Sequence, residues 1–205
     1  FGGVTVVTGP VGDVAAYQLN GAVPELVMLT DIHPDHLDID TLSSLTGSST
    51  VLIAPQAVFD ELTDSLQAQT VVMESGDAHL VVDISIEAVP MYNVPDSPDA
   101  FHPKGRGNGY VLEQAGTRIY IAGDTEGTPE MRALDDIEVA FVPMNLPYTM
   151  GVEAAADAVL DFAPSVVYPY HFRGPDGLAD ISEFSRRVRE GNAGIQVVEL
   201  DWYPE

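Results

Sequence analysis

Thr30-Asp31-Ile32-His33-Pro34-Asp35-His36-Leu37-Asp38 is the stretch that decides how this chain is read. It follows Leu26 to Leu29, an apolar run with the length of a buried strand, and precedes Ile39, Leu42 and Leu45 at helical spacing. The stretch is therefore expected to form a strand-to-helix loop, where a rigid scaffold presents ligands. Asp31, His33, Asp35 and His36 put four metal-capable side chains within six residues. Imidazole and carboxylate are donors that borderline divalent ions such as Zn²⁺ accept. A single histidine at a strand end is more often a satisfied structural residue, so the weight lies in the cluster.

Outward from that loop, short β-branched runs alternate with helix-like segments. Strands are expected at Val4 to Val7, Leu26 to Leu29, Val51 to Ala54, Thr70 to Met73, Ile84 to Met91, Tyr110 to Glu113, Arg118 to Ile121, Val139 to Val142, Val166 to Tyr168 and Gln196 to Leu200. Many are nearly continuous apolar runs, as strands covered on both faces require. Helices are expected at Ile39 to Leu45, ended by Gly47 in a left-handed conformation, and at Pro55 to Leu62, with the proline in the first turn. Pro129 to Leu134, Val152 to Phe162 and Ile181 to Glu190 complete the set. Strands in series with helices between them indicate a layered α/β protein.

The remaining candidates lie far from the first cluster. The chain has five histidines, and His102 and His171 fall in segments that read as loops or strand ends. Asp124, in Ala122-Gly123-Asp124-Thr125, closes an apolar strand, although a Gly-Asp-Thr run is also an ordinary turn or helix cap. His79 reads as a surface residue. Lys104, Arg106 and Arg173 are three of only eight basic residues, and each lies beside a candidate ligand. They are candidates for binding an anionic substrate, with charge compensation of a carboxylate-rich site as the alternative. Asn145 and Tyr148, in a segment following a strand, are candidates for lining the pocket, as are Tyr92 and Asn93.

In this order these motifs resemble the metallo-β-lactamase fold hydrolases, whose hallmark is His-x-His-x-Asp-His, then a distant His, a Gly-Asp-(Thr/Ser) segment and a final His. Here they stand as Asp31-Ile32-His33-Pro34-Asp35-His36, His102, Gly123-Asp124-Thr125 and His171. The segments Phe101-His102-Pro103-Lys104-Gly105 and Arg118 to Thr125 are similar to those of small bacterial hydrolases related to ascorbate-phosphate lactonase. The resemblance implies an α/β fold, a four-layer αββα sandwich, and two divalent metal ions. The first would use His33, His102 and Asp124, with Asp31 where the family has a histidine. The second would use Asp35, His36 and His171 and share Asp124. Asp35 and Asp124 are the implied catalytic carboxylates, and a water or hydroxide between the ions is the implied nucleophile. Zinc is the expected metal, although Asp31 makes the first site harder and favours Mn²⁺ or Fe²⁺, or leaves one ion only. The family also carries two strands before the segment matching Val4 to Pro10, with an Asp where Gly9 stands. The sandwich is expected to lack those two strands, so that either the chain is part of a longer protein or another element, such as a second copy of the chain, covers the exposed sheet edge.

Size and composition bound the rest. At 205 residues the chain suits one domain, residues 1–205, and no apolar run approaches the roughly 20 residues that span a bilayer. The absence of cysteine excludes disulfides and thiolate chemistry. The chain opens on Phe1 without a basic segment leading into an apolar one, so a cytoplasmic location is expected. Thirty-two acidic residues against eight basic ones give a net charge of −24, which opposes nucleic-acid binding. Such a surface is highly soluble and also suits high salt, where screening removes the self-repulsion. Gly105-Arg106-Gly107-Asn108-Gly109 lacks the Gly-x-Gly-x-x-Gly spacing of a dinucleotide loop. The expected activity is metal-dependent hydrolysis of a small ester, lactone, amide or phosphodiester, with ester or lactone favoured and β-lactam cleavage a side activity. The alternative is a metal-binding protein whose site Asp31 has disabled.

Overall fold

The computed structural model describes residues 1–203. Its strands are β1 (Val6–Thr8), β2 (Leu26–Met28), β3 (Val51–Ala54), β4 (Thr70–Val72), β5 (Ala78–Val81), β6 (Ile84–Met91), β7 (Gly107–Gln114), β8 (Thr117–Ile121), β9 (Val139–Pro143), β10 (Val166–Tyr170), β11 (Arg173–Gly174), β12 (Gly177–Leu178) and β13 (Gln196–Val197). Its helices are α1 (Ile39–Leu45), α2 (Gln56–Glu61), α3 (Asp64–Gln67), α4 (Pro129–Arg132), α5 (Val152–Phe162) and α6 (Ile181–Gly191), with a 3₁₀ turn over Val14–Tyr17. β1-β2-β3-β4 form a parallel four-stranded sheet, and β13-β10-β9-β8-β7-β6-β5 form a mixed seven-stranded one.

Three apolar cores separate four layers, and strand alternation explains them. Leu26 and Met28 of β2, Ile53 of β3, Ile84 and Ile86 of β6 and Tyr110 and Leu112 of β7 meet between the two sheets. The intervening residues point outward: Val27, Leu52 and Ala54 pack under Leu42, Leu45, Val58 and Leu66 of the first helical layer. On the far side Val111, Tyr120, Ala140 and Val142 pack against Ala155, Val159, Phe184 and Val188 of α5 and α6. Each of these aliphatic side chains contributes roughly 1.5–3 kcal/mol by leaving water. This is the expected αββα sandwich. Among the described residues, no helix is long and apolar enough to cross a membrane.

Strand direction fixes where a site can form. β6 is antiparallel to β7 and β7 to β8, whereas β8, β9 and β10 are parallel. The C-terminal ends of β6, β8, β9 and β10 therefore share one rim with the start of β7. The end of β2 joins that rim because the Asn108 backbone N–H donates to the Thr30 carbonyl at 3.0 Å.

Several expected boundaries are corrected. α1 ends at Leu45 as expected, but Gly47 is not left-handed. Thr46 closes the helix instead, its backbone N–H and its hydroxyl both donating to the Leu42 carbonyl. Pro55 is the extended residue before α2, not part of its first turn. β7 begins at Gly107, three residues before the apolar run, where two glycines dilute the strand pattern. Those glycines admit close neighbours: a Cβ on Gly109 would lie 2.6 Å from the Ala122 carbonyl oxygen, and one on Gly107 2.7 Å from that of Thr30. The exposed β5, the β11-β12 hairpin, α3 and the 3₁₀ turn carry too little apolar periodicity to be read from sequence.

Candidate metal centre

Each candidate ligand leaves a strand end or a loop on the common rim. After β2, His36 and Leu37 both donate backbone N–H groups to the His33 carbonyl, winding His33 and His36 into one turn. Asp38 then caps α1, accepting from Asp40 and Thr41. His102 lies in the β6–β7 loop, clasped there by Asn93, whose side-chain oxygen accepts the His102 N–H at 2.7 Å while its own N–H donates to the His102 carbonyl. Asp124 follows β8, and its N–H donates to Met91 Sδ. His171 follows β10 in a left-handed conformation, φ 45°, that non-glycine residues seldom adopt.

The turn before Asp124 depends on Gly123, which has φ +65° and no room for a Cβ: one would lie 2.5 Å from Met91 Sδ and 3.2 Å from Thr30 Cβ. Gly123→Ala is expected to lower stability by about 1–3 kcal/mol from backbone strain, with crowding of Met91 adding to it. An unchanged midpoint in urea denaturation would contradict this.

The ligands fall into two groups, Asp31, His33 and His102 on one side and Asp35, His36 and His171 on the other. Buried Asp124 lies between them. Its Oδ1 is 3.4 Å from both His36 Nε2 and His171 Nε2, and its Oδ2 is 3.5 Å from His102 Nε2. His36 Nε2 and His171 Nε2 are 3.2 Å apart, and Asp35 Oδ2 is 3.2 Å from His171 Nε2. Donors about 2.1 Å from a tetrahedral ion stand about 3.4 Å from one another, so the second group already has coordination spacing. Two donor atoms here, His102 Nε2 and Asp124 Oδ1, are buried without a hydrogen-bond partner. His102 Nδ1 faces the Tyr148 carbonyl at 3.2 Å, an acceptor that holds the ring proton there and leaves Nε2 a bare lone pair. Behind His36, Thr30 Oγ1 is 3.0 Å from Nδ1.

Electrostatics follow from this packing. Burial pushes the Asp124 carboxyl up, but the surrounding histidines outweigh it and hold it below its ordinary range. Burial pushes His36 down, and Asp124 and Asp35 bring it above its ordinary value. His102 stays low, chiefly from burial. The Asp35 carboxyl is held well down, first by His171.

Asp31 is completely buried and bound by three donors. Arg106 grips it with Nε on Oδ1 at 3.0 Å and Nη2 on Oδ2 at 2.9 Å, and His33 Nδ1 is 2.8 Å from Oδ2. The guanidinium also reaches the Phe101 carbonyl and stands 3.3 Å from His33 Nε2.

The residues expected to bind substrate divide in two. Arg106 is committed to Asp31, and Lys104 to Glu130 at 2.6 Å over the ring of Tyr92. Asn145 is buried, its amide divided between Thr149 Oγ1 at 2.6 Å and His171 Nδ1 at 3.1 Å. Exposed Arg173 lies over the Tyr203 ring, and exposed Tyr148 meets the Phe101 ring edge-on. Arg173, Asp35, His36 and His171 share the wall of a cleft of about 820 Å³ between the sheets beside β1. His79 lies exposed on β5, away from these ligands. Sequence reasoning missed Thr30 and Glu130, polar residues that become informative only once their partners are known.

Comparison with known proteins shows the family and the fold. Residues 1–171 match the family described as the beta-lactamase superfamily domain. A UPF0173 metal-dependent hydrolase of Pyrococcus furiosus is 32% identical over 173 residues, covering 81% of this chain and 75% of that protein. Another from Symbiobacterium thermophilum is 32% identical over 189 residues, covering 85% and 78%. Among solved structures, a Parabacteroides distasonis protein assigned as a metal-dependent hydrolase superposes with TM-score 0.83 at 35% identity, covering 97% of this chain and 85% of its own. A metallo-beta-lactamase fold protein of Bacillus subtilis, at 13% identity and TM-score 0.70, shares the fold over 95% of this chain and 82% of its own.

Proposed function

The chain belongs to the metal-dependent hydrolases of the β-lactamase superfamily, and on that premise we propose that it cleaves a small ester or lactone at a divalent-metal centre built around Asp124. The observation that carries this reading is the pair of buried, unpartnered donor atoms, His102 Nε2 and Asp124 Oδ1, between histidines already at coordination spacing. A buried polar atom without a partner costs about 1–3 kcal/mol, and a cation between these donors removes that cost. The residues fit such an ion on the side of Asp35, His36, His171 and Asp124; on the other side His102 and Asp124 offer unpartnered atoms, whereas Asp31 and His33 are engaged by Arg106 and by each other. Zn²⁺, Mn²⁺ and Fe²⁺ all accept this nitrogen and oxygen set. The chemistry a divalent ion would supply in such a site is a water acidified to a pKa of about 7 and a polarised carbonyl oxygen.

The protein's own side chains do the rest. Asp35 is 61% exposed and its carboxyl is held ionised, first by His171, so it stands at the solvent side of the site, where it can accept a hydrogen bond from an incoming water as well as help hold the ion. Buried Asp124 holds the histidine nitrogens together. Arg173 and Tyr148 are the exposed groups beside the site able to recognise an anionic portion of the substrate. Arg173→Ala is expected to raise KM several-fold for anionic esters and little for neutral ones. An equal rise for both would remove the recognition role.

The test of the substrate class is a panel of chromogenic esters, lactones, phosphodiesters and a cephalosporin, run with and without chelator. Chelator-sensitive turnover confined to esters or lactones is expected. Turnover confined to phosphodiesters or to the cephalosporin would overturn the ester or lactone reading.

A further inference from the structure

One short turn touches a histidine of each donor group. In Asn145-Leu146-Pro147-Tyr148-Thr149, the backbone N–H groups of Tyr148 and Thr149 both donate to the Asn145 carbonyl, and the Asn145 N–H donates to Thr149 Oγ1 at 3.0 Å. The turn is thus closed on itself, and Asn145 and Thr149 are both buried. From it the Tyr148 carbonyl faces His102 Nδ1 at 3.2 Å and accepts a second bond from the Asn93 amide at 2.8 Å. The Asn145 amide faces His171 Nδ1 at 3.1 Å.

These two contacts differ in kind. A backbone carbonyl only accepts, so His102 is fixed with its proton on Nδ1 and its Nε2 free. A carboxamide can donate or accept. With its oxygen on Thr149 and its nitrogen on His171 Nδ1, the Asn145 amide favours the tautomer carrying the proton on Nε2, opposite Asp35 and Asp124. Turned over, its oxygen accepts Nδ1–H and its nitrogen donates to Thr149 Oγ1, whose second lone pair remains available beside the Asn145 N–H. Only the second orientation leaves His171 Nε2 bare, and in it the Thr149 hydroxyl hydrogen gives up the Asn145 oxygen as its acceptor.

We infer that this turn sets which ring nitrogen of His102 and His171 faces a metal ion, and that Asn145 is a positioning residue whose amide turns over as His171 becomes a ligand. The inference rests on the metal-centre reading above. Asn145 is not among the candidate ligands, and its contact with them is through His171. An acceptor in its place should therefore preserve metal affinity, and an apolar side chain of similar size should not.

The experiment is competition of full-length wild type, Asn145→Asp and Asn145→Leu with a chromogenic chelator for Zn²⁺. It is paired with long-range ¹H–¹⁵N spectra of the histidine rings of wild type before and after loading. Asn145→Leu is expected to weaken Zn²⁺ binding roughly 10–100-fold, the range found when a group behind a ligand is lost. Asn145→Asp should stay within about threefold of wild type or bind more tightly, since its carboxylate can only accept. The His171 proton should move from Nε2 to Nδ1 on loading. Equal affinity for wild type and Asn145→Leu, or a His171 tautomer that does not change, overturns the inference and leaves the metal centre standing. Wild type that takes up no Zn²⁺ overturns both. If Asn145→Leu fails to fold, Asn145→Asp and the wild-type spectra decide, because a weak-binding Asp variant also overturns the inference.

Discussion

Arg106→Ala is expected to cost the fold about 3–5 kcal/mol, the range found when one partner of a buried ion pair is removed. Asp31 has no exposed surface and receives two of its three hydrogen bonds from that guanidinium, so the truncated protein must bury a carboxylate held by His33 alone. Denaturant midpoints near neutral pH measure the loss. Arg106→Lys, which keeps the charge but not the planar fork, should fall between the two. Acid unfolding supplies an independent reading. Burial pushes the Asp31 carboxyl up, but His33 and Arg106 outweigh it and lower it from its ordinary 3.8 to about 2. A carboxyl depressed in the folded state contributes stability that is fully present above its unfolded value and is lost as pH falls through its folded one. The wild-type contribution therefore disappears between 3.8 and about 2, and in Arg106→Ala, where the Asp31 carboxyl is less depressed, this acid-dependent loss should be smaller. Equal midpoints and equal acid limbs in the two proteins would show that Asp31 does not need its partner.

Asp124→Asn is expected to reduce turnover by more than the roughly 10–100-fold typical of groups behind a ligand, because Asp124 borders both donor groups. The substitution keeps the shape and removes the charge. It also replaces an oxygen facing His36, His171 or His102 with an N–H₂ group, which cannot serve as a ligand. Metal affinity and kcat should fall together while the far-UV spectrum is unchanged. A variant with wild-type turnover would remove Asp124 from the centre of the site.

Much of this was legible in the sequence, and what was not shares one cause. β3, β6 and α5 have the expected boundaries because each is decided by its own residues: β-branched runs for the strands, and alanine-rich helical spacing for α5. The seven candidate ligands are brought to one rim because their motifs end strands or sit in loops that the topology gathers there. The misjudged elements depended on distant partners. Gly107 and Gly109 read as loop until Thr30 and Ala122 are seen to press against them. Arg106 reads equally as a substrate contact or a charge compensator until Asp31, 75 residues earlier, takes the Nε–Nη2 edge of its guanidinium. Asn145 reads as pocket lining until His171 appears 26 residues on. In each case spacing along the chain carries no record of the contact.

The measurement that bears most directly on the central claim is a reloading titration. Wild-type protein would be stripped of metal and returned stepwise to Zn²⁺, Mn²⁺ or Fe²⁺, with bound metal and turnover of the best ester or lactone followed together. A divalent-metal hydrolase centred on Asp124 predicts no turnover in the stripped protein and a rate that rises in step with bound metal until both saturate. Turnover that survives exhaustive stripping, or metal that binds to saturation without any rate on the panel, would contradict it.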